Sequence, residues 1–219
     1  MQVTSSIVSP TNLLLWYDRH MSKAKTGKFK LPYLLTFGGI TGFLASFVLA
    51  VEKIEIIKNP DFQPSCNINP ILSCGSVMVT PQAEAFGFPN PFLGIAGFAV
   101  VSTIGIALLA GVNFKRWFWL LVQAGLLFAV IFIHWLFFQT VYRIDALCPY
   151  CMVVWIVTIP LFWYTLLYNL RQGNIKTVKS LRPIVNFAQK HHGDILIVWY
   201  LIIAGLILNH FWYYWSTLI

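Results

Sequence analysis

Five long apolar stretches constrain this chain more than any other feature. They run over about residues 31–51, 91–112, 117–142, 147–170 and 195–215. Each is long enough to cross a hydrocarbon core of roughly 30 Å, which takes about 20 helical residues. Lipid offers no partner for a free backbone N–H or C=O, so a span must be a helix or part of a closed barrel. These stretches are apolar all round and lack the two-residue alternation of a barrel strand. Only 10% of the residues are charged, against about 25% in soluble domains. The expected fold class is an all-α membrane protein, a four-helix transmembrane bundle plus a fifth transmembrane helix.

Lysine and arginine orient the spans, because short loops rich in them stay on the cytoplasmic side. Arg19, Lys23, Lys25, Lys28 and Lys30 precede the first span, and Lys115 and Arg116 separate the second from the third. Arg171, Lys176, Lys179, Arg182 and Lys190 separate the fourth from the fifth. That face holds twelve of the fifteen basic residues, with only Asp18 and Asp194 as acids. The opposite face sets Lys53, Lys58 and Arg143 against Glu52, Glu55, Asp61, Glu84 and Asp145. The N-terminus is expected inside and, after five spans, the C-terminus outside. The net charge of +8 is thus accounted for by topology, and no nucleic-acid partner is expected.

The expected division is a cytoplasmic basic tail over 1–30, a four-helix core over 31–170, a cytoplasmic basic loop over 171–194, and a fifth helix with a short outer end over 195–219. Thirty residues precede the first apolar run, and that run exceeds a signal-peptide core in length, so it reads as a retained span. Residues 7–17 read as a short helix along the inner surface or as an unstructured tail.

The charges alone place all four cysteines on the outer face, the side where disulfides persist. Cys66 and Cys74 lie in the first outer loop (58–90), and Cys148 and Cys151 lie just past the second (143–146). Four cysteines allow three pairings. Pro149 suits the first position of a helix, which makes Cys148 the expected N-cap and sets Cys151 in the first turn of the fourth span. A thiolate is favoured at that positive end of the helix dipole. At about 1.5 Å rise per residue, Cys151 lies roughly one turn deeper than Cys148, so one sulfur can meet a protein thiol and the other a lipid-soluble oxidant. A structural disulfide or half of a zinc site are the alternatives for this pair. The Cys66–Cys74 segment is short enough to close on itself around an Asn69-Pro70 turn, whether as a redox pair, a static staple or a zinc half-site.

Three separated motifs then become recognisable: Cys66-Asn-Ile-Asn-Pro-Ile-Leu-Ser-Cys74-Gly-Ser, Phe86-Gly-Phe-Pro-Asn-Pro-Phe-Leu-Gly94, and Cys148-Pro-Tyr-Cys151. In that order they resemble the vitamin K epoxide reductase family in its bacterial branch, over about residues 31–170. The B-type disulfide-forming oxidases carry the quinone-side CxxC before the loop pair, whereas here the loop pair comes first.

The resemblance implies an enzyme of the bacterial cytoplasmic membrane, with its active site on the periplasmic face. Such an enzyme oxidises a periplasmic thioredoxin-like (DsbA-type) protein and reduces a membrane quinone, menaquinone, ubiquinone or similar. By the same likeness, Cys66 meets the partner, Cys74 exchanges with Cys148, and Cys151 contacts the quinone. Thr80 matches a family Ser/Thr that supports the quinone site, and Asn90 matches an Asn that binds a quinone carbonyl. Each also has a plain reading: Thr80 as a turn residue, Asn90 as the N-cap of the second span. Trp155 stands where animal members carry tyrosine. An indole can wall off a quinone but supplies no hydroxyl, which points to quinone rather than vitamin K epoxide as the substrate. Some members carry a thioredoxin-like domain after the fifth span; the sequence ends at Ile219, so the expected partner is a separate protein. The competing reading is a membrane scaffold or transporter with structural disulfides. His134 and Gln139, in the outer half of the third span, read as helix–helix hydrogen-bonding groups.

Overall fold

A computed structural model describes residues 31–216. The expected basic tail over 1–30 and the inner-surface helix over 7–17 lie outside the described residues. Within them the chain is helical, and the single β feature is an isolated parallel bridge between Leu72 and Leu147. Five helices are long and apolar enough to cross a membrane, as the sequence requires.

Helix α1 (Leu31–Lys58) is followed in the first loop by the short α2 (Cys74–Met78) and a 3-10 turn at Pro81–Glu84. The second span is α3 (Pro91–Leu109). The third is α4 (Arg116–Gln139), prolonged by a π-helical turn over Thr140–Ile144, and the fourth is α5 (Pro149–Arg171). A nine-residue helix α6 (Arg182–Lys190) leads to the fifth span, α7 (His192–His210), and to a closing turn α8 (Trp212–Trp215). α6 falls in the stretch read from sequence only as a basic loop.

The bundle forms because α1 packs along both α3 and α5, and α4 packs on α5. Lipid tails are as apolar as leucine, so close van der Waals contact must replace the hydrophobic effect between spans, and small residues permit it. A Cβ on Gly105 of α3 would lie 2.4 Å from the Thr36 backbone nitrogen of α1, and one on Gly39 would lie 2.6 Å from that of Ser102. The two backbones therefore run almost in contact. Leu31, Leu35, Phe98, Val101, Trp119 and Leu161 fill the inner half of the core. The α7 helix lies at the periphery with no buried residue. It is held by hydrogen bonds from Trp199 Nε1 to His134 Nε2 (3.0 Å) and from the Tyr200 hydroxyl to Ile156 O (2.6 Å). The helix–helix role expected of His134 is the one it has.

Two details position the chemistry. First, α1 runs to Lys58, about two turns past the expected end of the span. Its 28 residues reach roughly 42 Å at 1.5 Å each, so the last turns stand clear of the hydrocarbon. Second, α4 continues to Ile144, and Asp145 takes the left-handed conformation (φ 57°) that ends a helix. His210 of α7 meets Asp145 with Nε2–Oδ1 at 2.6 Å. Only Asp145–Cys148 then remain to join α4 to α5.

Candidate active site

The loop pair is bonded: Cys66 and Cys74 form a disulfide, while Cys148 and Cys151 are free thiols. The bridge explains how the loop meets the helix mouth. Leu147 N donates to Ile71 O (2.7 Å) and Ser73 N donates to Leu147 O (2.9 Å). Leu72 and Leu147 thus lie side by side, and two residues past Leu72, Cys74 comes against Cys148, one past Leu147. The Cys148 Sγ lies 3.1 Å from the Cys74 Sγ. Both residues are fully buried, packed with Leu49, Cys66 and Met78.

Local sequence builds each half. In the loop, Asn69 Oδ1 accepts from the backbone N–H of Ile71 (3.0 Å) and Leu72 (2.7 Å), the Asx turn that Asn69-Pro70 promised. Asn67 Oδ1 accepts from the Ser73 hydroxyl (3.1 Å) and Gly75 N (2.9 Å). At the helix mouth, Pro149 occupies the first turn and Cys148 caps α5, its Sγ accepting from Cys151 N at 3.4 Å. Cys148 precedes the span, and its thiol is held below the usual cysteine range. The cause is first the hydrogen bond with the Cys151 side chain and then the Cys151 and Tyr150 backbone N–H groups, working against burial. A lowered value favours the thiolate, the nucleophilic form, on the sulfur that faces the disulfide.

Cys151 packs against both the cysteine cluster and a deeper apolar one containing Ile133, Phe137, Trp155 and Ile159. Trp155 is buried and edge-on to Phe137, with centroids 5.4 Å apart. It lines a small recess with Ile133, His134, Ile159 and Ile203. Thr80 and Asn90 are placed differently. The Thr80 hydroxyl donates to Val77 O (2.7 Å), as a turn residue does. Asn90 stands at the capping position of α3 but does not cap it. Its Nδ2 donates to Gln82 O (2.8 Å) and its Oδ1 accepts from Ala85 N (3.1 Å), folding the 82–90 segment on itself. Among the described residues, no hydrogen bond joins either side chain to a cysteine.

Charge reading registered Glu52 and Lys53 only as outer-face charges; the structure buries both beneath the loop. The Lys53 ammonium donates to Met78 O (2.7 Å) and pairs with Glu84 (2.8 Å), pinning α2 and the following turn to α1. Glu52 Oε1 accepts from Ser65 N (3.1 Å) and from the Ser65 hydroxyl, and its Oε2 lies 3.4 Å from the Cys66 Sγ. Glu52, Cys66 and Cys74 bring ligand atoms within 4.8 Å of one another, but both sulfurs are committed to the disulfide and are not thiolates here. The only advance signal was an acid and a base adjacent at the end of an apolar span.

The arrangement is that of a membrane thiol–disulfide oxidoreductase: a disulfide with a free, buried thiol against one of its sulfurs. The sequence model of the vitamin K epoxide reductase family matches residues 33–166, the four core spans and both outer loops. No curated protein matches the chain.

Proposed function

The chain belongs to the vitamin K epoxide reductase family, and on that footing we propose that it oxidises a thioredoxin-like partner and passes the electrons to a membrane quinone. The reaction supports disulfide formation in exported proteins, at the extracytoplasmic face of a bacterial cytoplasmic membrane. The observation that carries this reading is the 3.1 Å approach of the Cys148 sulfur to Cys74 within the Cys66–Cys74 disulfide. Static staples leave that contact without a purpose.

A partner thiolate attacks the Cys66 sulfur, and Cys74 leaves. The partner's second thiol then closes its own disulfide and releases Cys66, so the loop pair has gained two electrons. With Cys148 and Cys151 joined, the Cys74 thiolate attacks Cys148 and Cys151 leaves. Cys66 next attacks Cys74, re-forming the loop disulfide and freeing Cys148. The arrangement seen, with the loop pair oxidised and Cys148 and Cys151 reduced, corresponds to the moment after this transfer.

A bound quinone supplies the two-electron acceptor. The residues fit such a group: Cys151 borders an apolar, aromatic wall of Trp155, Phe137 and Ile133. Asn90 uses one amide hydrogen on Gln82 O, which leaves its other for a quinone carbonyl. We assign Cys151, Trp155, Asn90 and Thr80 to hold it, with Thr80 acting through the turn it closes.

The decisive experiment incubates purified protein with a reduced thioredoxin-like substrate and a short-chain ubiquinone. Wild type should reduce the quinone and Cys151→Ala should not, while a substrate lacking its second cysteine should attack the loop disulfide, displace Cys74 and stay joined to Cys66. Equal quinone reduction by wild type and Cys151→Ala would sink the mechanism.

A further inference from the structure

Among the described residues, one acid side chain lies against the sulfurs of the loop disulfide. The Glu52 carboxylate is buried, and its Oε2 faces the Cys66 sulfur at 3.4 Å. A sulfur in a disulfide carries no proton, so in the oxidised pair this contact has no hydrogen from the cysteine side. The other oxygen, Oε1, is occupied by Ser65 N and the Ser65 hydroxyl, which fixes the carboxylate and aims Oε2. A buried carboxylate oxygen without a donor is costly; a proton shared along the O–S line removes that cost.

We propose that Glu52 is a catalytic residue, the proton acceptor and donor for Cys66. The inference rests on the oxidase reading above and adds a component that the four cysteines lack. In the Cys74–Cys148 mixed disulfide, Cys66 is a thiol. Its proton passes to Glu52 Oε2, and the resulting thiolate attacks the Cys74 sulfur. The Cys74–Cys148 bond breaks, and its electron pair leaves on Cys148. When the next partner dithiol reduces the loop pair, Cys66 departs as a thiolate and takes the proton back from Glu52. Sulfur bonds, electrons and the proton on Glu52 all return to their starting state.

The surrounding charges leave this role to Glu52. Lys53 on the same helix turns away to Met78 O and Glu84. Lys58 pairs with Glu55 at the exposed end of α1. The loop contributes Ser65, Cys66 and Cys74, and α5 contributes Cys148, whose thiolate the Glu52 charge opposes. That opposition is useful: a carboxylate made neutral by the Cys66 proton stops disfavouring the thiolate that is leaving on Cys148.

The test is an acid-quench experiment on the full chain in lipid nanodiscs, reduced and then mixed with a short-chain ubiquinone, with disulfides counted by mass spectrometry. General acid–base catalysis contributes roughly 100-fold or more. Glu52→Gln should therefore accumulate the Cys74–Cys148 mixed disulfide near neutral pH and resolve it about 100-fold more slowly than wild type. Its resolution should quicken by about tenfold per pH unit towards the ordinary thiol range near roughly 8.5, while wild type stays flat. No accumulation in Glu52→Gln, or accumulation that pH does not relieve, overturns the proposal. If Glu52→Gln does not fold, Glu52→Asp decides. It keeps the acid one methylene further back, and partial accumulation is expected; resolution at the wild-type rate overturns the idea. A wild type that leaves quinone unreduced would count against the oxidase reading instead. The same quench with oxidised glutathione as oxidant then still reads the Cys66 step.

Discussion

Lys53 is the best place to perturb the site without touching its chemistry. Its side chain is only 9% exposed and makes two contacts, to Met78 O at 2.7 Å and to Glu84 at 2.8 Å. A hydrogen bond from a charged donor is worth about 1.5–3 kcal/mol, and deleting the donor leaves the Met78 carbonyl without its partner. Glu84 is 40% exposed, so solvent screening limits that ion pair to about 0.2–1 kcal/mol. Lys53→Met keeps the apolar stem and removes both contacts, a loss of about 2–3 kcal/mol. If that loss falls on local opening of the segment from α2 through the Pro81–Glu84 turn, the open fraction rises about 30- to 140-fold, at 1.4 kcal/mol per factor of ten. Hydrogen–deuterium exchange reads this directly. Amides of residues 76–84 should lose protection by that factor, while amides within α4 and α5 keep theirs. Lys58→Met is the control, because Lys58 pairs with Glu55 where both are exposed, and it should change exchange little. If Lys53→Met loosened residues 76–84 no more than Lys58→Met, the pinning argument would be refuted.

Two further outcomes follow from geometry. Gly105→Ala places a methyl 2.4 Å from the Thr36 backbone nitrogen; overpacking of this kind costs about 1–3 kcal/mol, seen as a lower unfolding midpoint in detergent. Gly97→Ala, with open space around the added atom, should leave the midpoint near that of wild type, and equal effects would argue against the α1–α3 contact. At the helix mouth, Cys151→Ala removes the main group that lowers the Cys148 thiol. The thiolate absorbance of Cys148, read with the loop disulfide intact, should then titrate at higher pH than in wild type; an unchanged or lower midpoint contradicts the assigned cause.

Much of this was legible because membrane physics leaves few options. Length and apolarity gave the five spans, and Pro149 gave the cap at Cys148 and the depth of Cys151. The sequence could not supply the register between loop and helix. Cys74 and Cys148 are 74 residues apart, and what brings them together is a two-hydrogen-bond bridge at Leu72 and Leu147, too short to leave a strand pattern. Nor could charge counting separate Glu52 and Lys53 from solvated residues, because their burial depends on a loop folded over them. Asn90 shows the reverse. Its place before Pro91 read as a helix cap, yet its carboxamide turns back into the loop.

Burial of the loop disulfide has a consequence for the proposed cycle. Cys74 is wholly buried and Cys66 is 5% exposed, so a partner thiolate cannot line up behind either sulfur while the loop is closed. The loop must open for exchange with the partner and close for exchange with Cys148, and Lys53 acts on the closed side of that balance. Lys53→Met should therefore split the two half-reactions. Oxidation of a thioredoxin-like dithiol by the loop pair should speed up, because the reactive open form is more populated. Electron passage from the loop pair to Cys148 and Cys151 should slow, because the 3.1 Å contact between Cys148 and Cys74 is less often made. Stopped-flow measurement of each half-reaction, with acid quench and thiol alkylation, separates the two. If both slowed together, Lys53 would be a general support of the fold, and if neither changed, closure of the loop would not control the exchange.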